Sequence, residues 1–407
     1  MALRAANSAE FVAAWLGVTL AGAAVLPLSL ASTDESAGLA KLTLGAADLP
    51  ALLAAAPAAS LPAITDDTLA QVLFTSGTTG GARPAAVTHG SLLSHTQNVA
   101  RTVGLGEDDV VLGALPLAHS FGSRMVMLLA LAVGARVVLL ARFDAARALA
   151  RLDEERVTFW PAVPTMLAAV SAVDGAAPRA LKWVLSAGAP LPDALCRRAE
   201  ARLGCEVRQG YGLTEASFST IDAPPASRTI GSVGRPVAGV EVRIAADGEV
   251  EVRGPHVMAG YLDGTPAPVD AGGWLRTGDL GRLDDDGRLW IVDRKKDLII
   301  RGGNNVYPAE VEDVLATHPD VAEVAVVGRP DDYFGEEIVA VVVARAGRAP
   351  TADELAAFAR ARLPAVKQPR ELAFVDALPL GPSGKVLKRA LRQKLADGTL
   401  PTTKPSS

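Results

Sequence analysis

Between Gln71 and Leu203, short apolar runs alternate with amphipathic stretches, and this alternation leaves few architectures open. VVLGALPL, ARVVLLA, VTFWPAV and LKWVLSAG have the length and unbroken apolarity of strands buried on both faces. SLLSHTQNVARTV, AARALARLDEE and PDALCRRAEARL carry their apolar residues at helical spacing. The order predicts an α/β domain with mixed but largely parallel sheet. After Gly231 the texture changes: VEVRIAADGEVEVRG predicts a β-hairpin turning at Asp247-Gly248, and GRLDDDGRLWIVDR a second turning at Asp286-Gly287. Beyond the basic stretch DRKKD, VEDVLAT and ADELAAFARARL read as helices, and VAEVAVVG, EIVAVVVA and ELAFVDALP as strands. These make a separate small α+β domain of about 100 residues. The closing TLPTTKPSS reads as a disordered tail.

Composition removes several classes of function. Hydrophobic residues make up 49% of the 407 and charged residues 21%, as in ordinary soluble globular proteins. Only 4% are aromatic and the formal net charge is -5, which argues against a nucleic-acid partner. Cys196 and Cys205 stand alone, and five histidines form no HxxxH or HExxH pair, so neither a disulfide framework nor a zinc site is expected. Residues 11–31 are apolar, but Asn7 and Glu10 precede them and Gly22 and Pro27 interrupt them. A buried helix over about Ser8–Leu20, a turn at Gly22 and a strand through Val25 and Leu26 fit better than a signal peptide or membrane span. A cytoplasmic protein is expected.

Four polar segments can carry chemistry. TSGTTGG, Thr75 to Gly81, places four hydroxylated residues and three glycines directly after a buried strand. Backbone N–H groups of such a loop can converge on an anion, and Arg83 adds charge suited to a polyphosphate; the alternative is a flexible linker. In Gln209-Gly-Tyr-Gly-Leu-Thr-Glu215, the tyrosine can lie against a purine and Glu215 can offer oxygen to magnesium, unless the segment is simply a strand-to-helix turn. In Arg276-Thr-Gly-Asp279, the carboxylate either accepts two ribose hydroxyls or caps its own turn. Lys385 in Ser-Gly-Lys is either a mobile cation for a phosphate or a solvated surface lysine.

Taken together and in this order, these motifs resemble the adenylate-forming (AMP-binding) superfamily of acyl-CoA synthetases, firefly luciferases and nonribosomal peptide adenylation domains. The resemblance runs from about Asn7 to about Leu395. LPLAHSFG, DRKKDLIIRGGNNVYPAEVE, HPDVAEVAVVGRPDDYFGEE and LPLGPSGKVLKR look most like bacterial fatty-acyl-CoA ligases. It implies that Thr75, Ser76, Gly77, Thr78, Thr79, Gly80 and Arg83 hold the triphosphate. Gly210, Tyr211 and Gly212 would bind adenine, Thr214 the α-phosphate and Glu215 the magnesium ion. Asp279, assisted by Arg294, would bind the ribose; Lys296 would be the hinge. Lys385 would bridge α-phosphate and attacking carboxylate, with His119 where acyl group and adenylate meet. Gly302 and Gly303 would line the pantetheine passage, and Trp160, Val163, Ser186, Ala187, Gly188 and Ala189 would wall the acyl pocket. The implied reaction is ATP-dependent formation of acyl-AMP and then acyl-CoA, using ATP, Mg2+ and coenzyme A. Rival acceptors are a carrier protein or an amine; nitrite in place of a carboxylate, or a non-catalytic nucleotide-binding remnant, are the remaining alternatives.

The sequence departs from the family in two places. Ala82-Arg83-Pro84 stands where Pro-Lys-Gly is usual, which keeps the charge on a bulkier, forked group. The stretch before Asn7 and the region from Pro27 to Asp66 are short for the family. An incomplete start to the large domain is therefore expected, with uncovered apolar surface around Asn7 to Leu28 and a homo-oligomer or partner to cover it. The expected boundaries are 1–295 for the large domain, 296–396 for the small one and 397–407 for the tail.

Overall fold

A computed structural model describes residues 1–30, 38–54, 60–75, 82–226, 228–380 and 386–406. It divides into two compact units: Met1–Ala245 with Glu251–Thr277 and Leu283–Trp290, and Ala246–Val250 with Gly278–Arg282 and Ile291–Ser407. The division is thus not one cut at 295/296. Lys295 touches both short pieces: its Nζ lies 2.8 Å from Asp247 and 3.0 Å from Glu249, and its backbone N donates to Gly278 O at 2.9 Å.

In the first unit a seven-stranded sheet runs in the order Arg235–Pro236, Ser217–Ile221, Glu206–Leu213, Trp183–Ser186, Phe159–Ala162, Val110–Gly113, Arg136–Leu139. The five strands from Glu206–Leu213 onward are parallel, and the other two are antiparallel additions. Phe159–Ala162 and Trp183–Ser186 are buried at every position, as covered parallel strands must be. The predicted helices appear as His89–Val103, Ala145–Glu154 and Asp193–Leu203. Thr88 caps the first by accepting from Ser91 N at 3.2 Å, and Gly104 at φ +70 ends it.

The N-terminal segment does not have the uncovered surface expected of it. Helix Ala9–Leu20 places Phe11, Ala14, Trp15 and Val18 on one stripe, all buried in the main core with Leu112 and Leu117. Strand Ala2–Arg4 lies between Leu26–Leu28 and Thr43–Gly45, parallel to both. Asn7 fastens the segment: its Nδ2 donates to Leu115 O (2.8 Å) and Leu140 O (3.1 Å), and its Oδ1 accepts from Leu117 N (2.8 Å). The chain's own core covers this apolar face. No helix among the described residues is long and apolar enough to cross a membrane.

The second unit has a sheet ordered Asn304–Val306, Ile299–Arg301, Gly335–Ala344, Val321–Asp331, with Glu371–Phe374 pairing on Gly335–Ala344. Alternation sends Val326, Ala340 and Val342 to one core with helices Pro308–Ala316 and Ala352–Arg360. Ala325, Val327, Val339 and Val341 face a second core that contains Leu391 of helix Lys388–Ala396. Leu400 joins that core, and Thr403 exchanges backbone hydrogen bonds with Leu372 at 2.7 and 2.9 Å. Residues 397–406 are therefore docked, not a loose tail, because a buried leucine and a strand-like bridge hold them.

Candidate active site

In the first unit the expected site residues gather at the carboxyl ends of neighbouring parallel strands, where open α/β sheets take their ligands. His119 follows Val110–Gly113, Val163 follows Phe159–Ala162, and Ala187, Gly188 and Ala189 follow Ser186 at the end of its strand. Thr214 and Glu215 follow Glu206–Leu213. Trp160 lies farther back in its strand and is fully buried in the core cluster, so its position is that of a core side chain. His119 is exposed and its ring is oriented from within, since Phe121 N donates to Nδ1 at 3.3 Å. In the neutral ring the proton then sits on Nε2.

Gln209 to Glu215 is not a strand-to-helix turn; it forms one arm and the tip of an antiparallel hairpin with Ser217–Ile221. A β-carbon on Gly212 would come within 1.9 Å of Ser217 O, and one on Gly210 within 2.8 Å of the Phe218 ring. Both glycines let the two backbones close, and Tyr211 between them is buried. At the tip, Tyr261 OH donates to Glu215 Oε1 at 2.9 Å. Burial, and then the charge of Glu215, raises the Tyr261 phenol far above its ordinary value, so it stays a donor.

Tyr261 also links Arg83 and strand Pro84–Thr88 to Glu215. Strand Gly260–Tyr261 pairs with Pro84–Thr88, and the Arg83 guanidinium lies 5.6 Å from the Tyr261 ring centre. Ser76, Gly77, Thr78, Thr79, Gly80 and Gly81 lie outside the described residues. The neck of their loop is well defined: Thr75 N donates to Arg83 O at 2.9 Å, and Arg83 N to Thr75 Oγ1 at 3.1 Å. The loop joins two antiparallel strands, Leu69–Phe74 and Pro84–Thr88, rather than a strand and a helix. Neither Tyr261 nor Asn7 was singled out for a role from sequence; the only signal for the tyrosine was an isolated Gly-Tyr pair. Among the described residues no group of three or more His, Cys, Asp and Glu side chains forms a metal cluster. A single free-edged carboxylate such as Glu215 suits Mg2+, which takes few protein ligands when substrate phosphates supply the rest.

The second unit carries the remaining candidates. Asp279 is buried, with Arg294 Nε 2.8 Å from its Oδ1. It sits inside the strand Leu275–Leu283, where Gly278 at φ +74 kinks the chain, rather than in a free Thr-Gly turn. Burial, with the charge of Arg294 adding to it, lowers the Lys296 ammonium to about 8. Gly302 (φ +55) and Gly303 (φ +78) form the two-residue turn between Ile299–Arg301 and Asn304–Val306. That turn requires left-handed residues for its own sake. Lys385 lies outside the described residues; the bridge Leu380–Val386 closes the neck of its segment. The helix that follows is held to the unit by Lys388–Glu312 and Arg392–Asp297, both 2.8 Å.

Expected site residues at the ends of parallel strands, the paired neck at Thr75 and Arg83, the Tyr261–Glu215 contact and a small second unit fit the class of ATP-using, adenylate-forming enzymes. Family models for "AMP-binding enzyme" and "AMP-binding enzyme C-terminal domain" match residues 35–262 and 310–385, and the chain belongs to this family. It is similar to the 7a-methyl-1,5-dioxo-octahydro-1H-inden-4-yl propanoyl:CoA ligase of Rhodococcus jostii (strain RHA1), 41% identical over 82% of this chain and 66% of the relative. A feruloyl-CoA synthase of Amycolatopsis is 40% identical over 82% of this chain and 71% of its own. ATP-bound MatB from Rhodopseudomonas palustris superposes with a TM-score of 0.91 at 29% identity, over 97% of this chain and 88% of that one. The chain thus spans about two thirds of the length of these curated relatives. With a Bacillus subtilis O-succinylbenzoate coenzyme A synthetase in complex with ATP and magnesium ion (TM-score 0.85, 31% identity, over 97% of this chain and 89% of that one), they bear out the superfamily, the α/β plus small-domain fold and the acyl-CoA ligase class, with its use of ATP, Mg2+ and CoA.

Proposed function

We propose that this chain is an ATP-dependent acid–CoA ligase working in two half-reactions. In the first, a carboxylate oxygen attacks the α-phosphorus of ATP; the new O–P bond gives acyl-AMP, and the bond to pyrophosphate breaks. In the second, a thiol sulfur attacks the acyl carbon, and the carbon–oxygen bond to AMP breaks. The observation that carries the reading is the convergence of Thr75, Arg83, Tyr261 and Glu215 in one place. It supplies a loop neck, a cation and a magnesium-suited carboxylate for a triphosphate. Bringing two anions together is the main barrier, and preorganised positive charge lowers it.

In this reading Ser76 to Gly80 and Arg83 hold the phosphates, and Gly210 to Gly212 the adenine. Thr214 contacts the α-phosphate, Asp279 with Arg294 holds the ribose, and His119 faces the acyl group. Lys385 stabilises the first transition state only, Lys296 is the hinge between half-reactions, and Val163 and Ser186 to Ala189 border the acid. The turn at Gly302 and Gly303 lines the thiol passage. The acceptor is free CoA rather than a carrier-protein arm. Pyrophosphate release across a panel of acids, each with and without CoA, tests this. Acid-dependent release with thioester formed from free CoA is expected; release without thioester moves the acceptor to a carrier or amine. Release with no acid would remove the ligase reading.

A further inference from the structure

Arg124 is 1% exposed, and none of its Nε, Nη1 and Nη2 has a hydrogen-bond partner among the described residues. Burial lowers it only to about 10, so it is a cation at neutral pH. Around it stand two buried imidazoles. His95 Nε2 accepts from Phe218 N at 3.2 Å, and His256 Nε2 lies 3.1 Å from Ser219 Oγ. Burial and then the charge of Arg124 keep both neutral, His256 at about 4 and His95 well below its usual value. The outer ring nitrogens, Nδ1 of each, are also without a partner among the described residues, as is Ser91 Oγ one helical turn before His95. No described carboxylate pairs with Arg124. A buried guanidinium normally has an anion, because an unpaired charge in the interior is costly.

The place of this cluster in the fold says where the anion comes from. Arg124 sits on the π-helical segment Gly122–Leu128, which begins three residues after His119. Irregular turns of this kind are frequent at functional sites. The chain passes from exposed His119 to buried Phe121 to buried Arg124, at most about 7.5 Å of helical rise. Phe121 packs edge-on against Phe218, 5.1 Å between ring centres, so the segment lies against the strand that follows Glu215. We infer that Arg124, with His95 and His256, receives a second anionic group at the far end of the acid, and that the substrate class is acids carrying a distal carboxylate or sulfonate. This rests on the ligase reading above, with the reacting carboxylate near His119.

The test is pyrophosphate release by the full chain with matched acids of four to eight carbons, one member of each pair ending in methyl and the other in carboxylate. The wild-type chain should favour the diacid by ~100-fold or more in kcat/KM at its best length, since a buried polar site strongly rejects a ligand that leaves it unpaired. Arg124→Met should collapse that ratio by about the same factor, and Arg124→Lys should restore part of it. Arg124→Met should also melt no lower than the wild type, because it removes an unpaired buried charge. If it fails to fold, the wild-type ratio alone decides. A wild-type chain that prefers the methyl-ended acid at every length overturns the inference and leaves the ligase reading standing. No release with any acid removes both.

Discussion

Tyr261 and Glu215 are 46 positions apart in sequence and 2.9 Å apart in space, and no spacing rule connects them. Tyr261→Phe removes the donor from a carboxylate expected to hold magnesium. A hydrogen bond to a charged group contributes about 1.5–3 kcal/mol, so KM for Mg·ATP should rise roughly 10-fold or more, with a smaller fall in kcat. Initial rates over a range of Mg·ATP check this; an unchanged KM would detach Tyr261 from the site. The phenol is raised, so its neutral, donating form is lost only as pH climbs past that raised value. The contact should therefore persist through about pH 10, the ordinary tyrosine value. The candidates Thr214, Glu215, Asp279 and Lys385 stand out in the sequence because glycines and hydroxyls flank them in compact motifs. Asn7, Tyr261 and Arg124 were not, because each acts through tertiary contacts to distant backbone or side chains.

At the scale of elements, strands with unbroken apolar runs were read to within a few residues, and so were the capped amphipathic helices. The segment from Gly122 to Val133 was not read at all. After Ser123 and Arg124 its sequence MVMLLALAV is apolar around the whole circumference, so it shows no 3.6-residue stripe. The hairpin bearing Glu215 was also missed, since its partner strand Ser217–Ile221 follows too closely for a separate signal. That hairpin gives a sharp prediction. Gly212→Ala places a methyl group 1.9 Å from Ser217 O, a clash with backbone that no side-chain rotation relieves. Overpacking of this kind costs roughly 1–3 kcal/mol, and the displaced tip carries Thr214 and Glu215. A lower Tm with loss of both half-reactions is expected. A variant with wild-type Tm and activity would show that the hairpin tip tolerates separation.

On the scale of the whole molecule, the N-terminal segment was expected to leave apolar surface bare, and its own core covers Phe11 and Trp15 instead. That outcome was hidden in the sequence because Asn7 reaches three backbone groups more than a hundred positions away. The small unit is separate in the sequence as well, but it also takes in 246–250 and 278–282, which Lys295 contacts through Asp247, Glu249 and Gly278. In the proposed reading one chain performs two reactions with different requirements, first at the α-phosphorus and then at the acyl carbon, and a hinge answers that need. Lys296→Pro fixes φ near roughly −65°, so acyl-AMP formation should continue while thioester formation falls by at least ~10-fold. Rapid-quench measurement of each half-reaction checks it; a normal thioester rate would place the hinge elsewhere. The central claim, one site serving adenylation and then thioester formation, is tested most directly by comparing the wild type with Lys385→Ala in the two half-reactions. The wild type, given ATP and acid without CoA, should accumulate acyl-AMP and convert it to thioester when CoA is added. Lys385→Ala should lose acyl-AMP formation by about 100-fold or more, yet convert supplied acyl-AMP and CoA to thioester at close to the wild-type rate. Equal loss in both half-reactions, or thioester formed with no acyl-AMP on the path, would contradict the account.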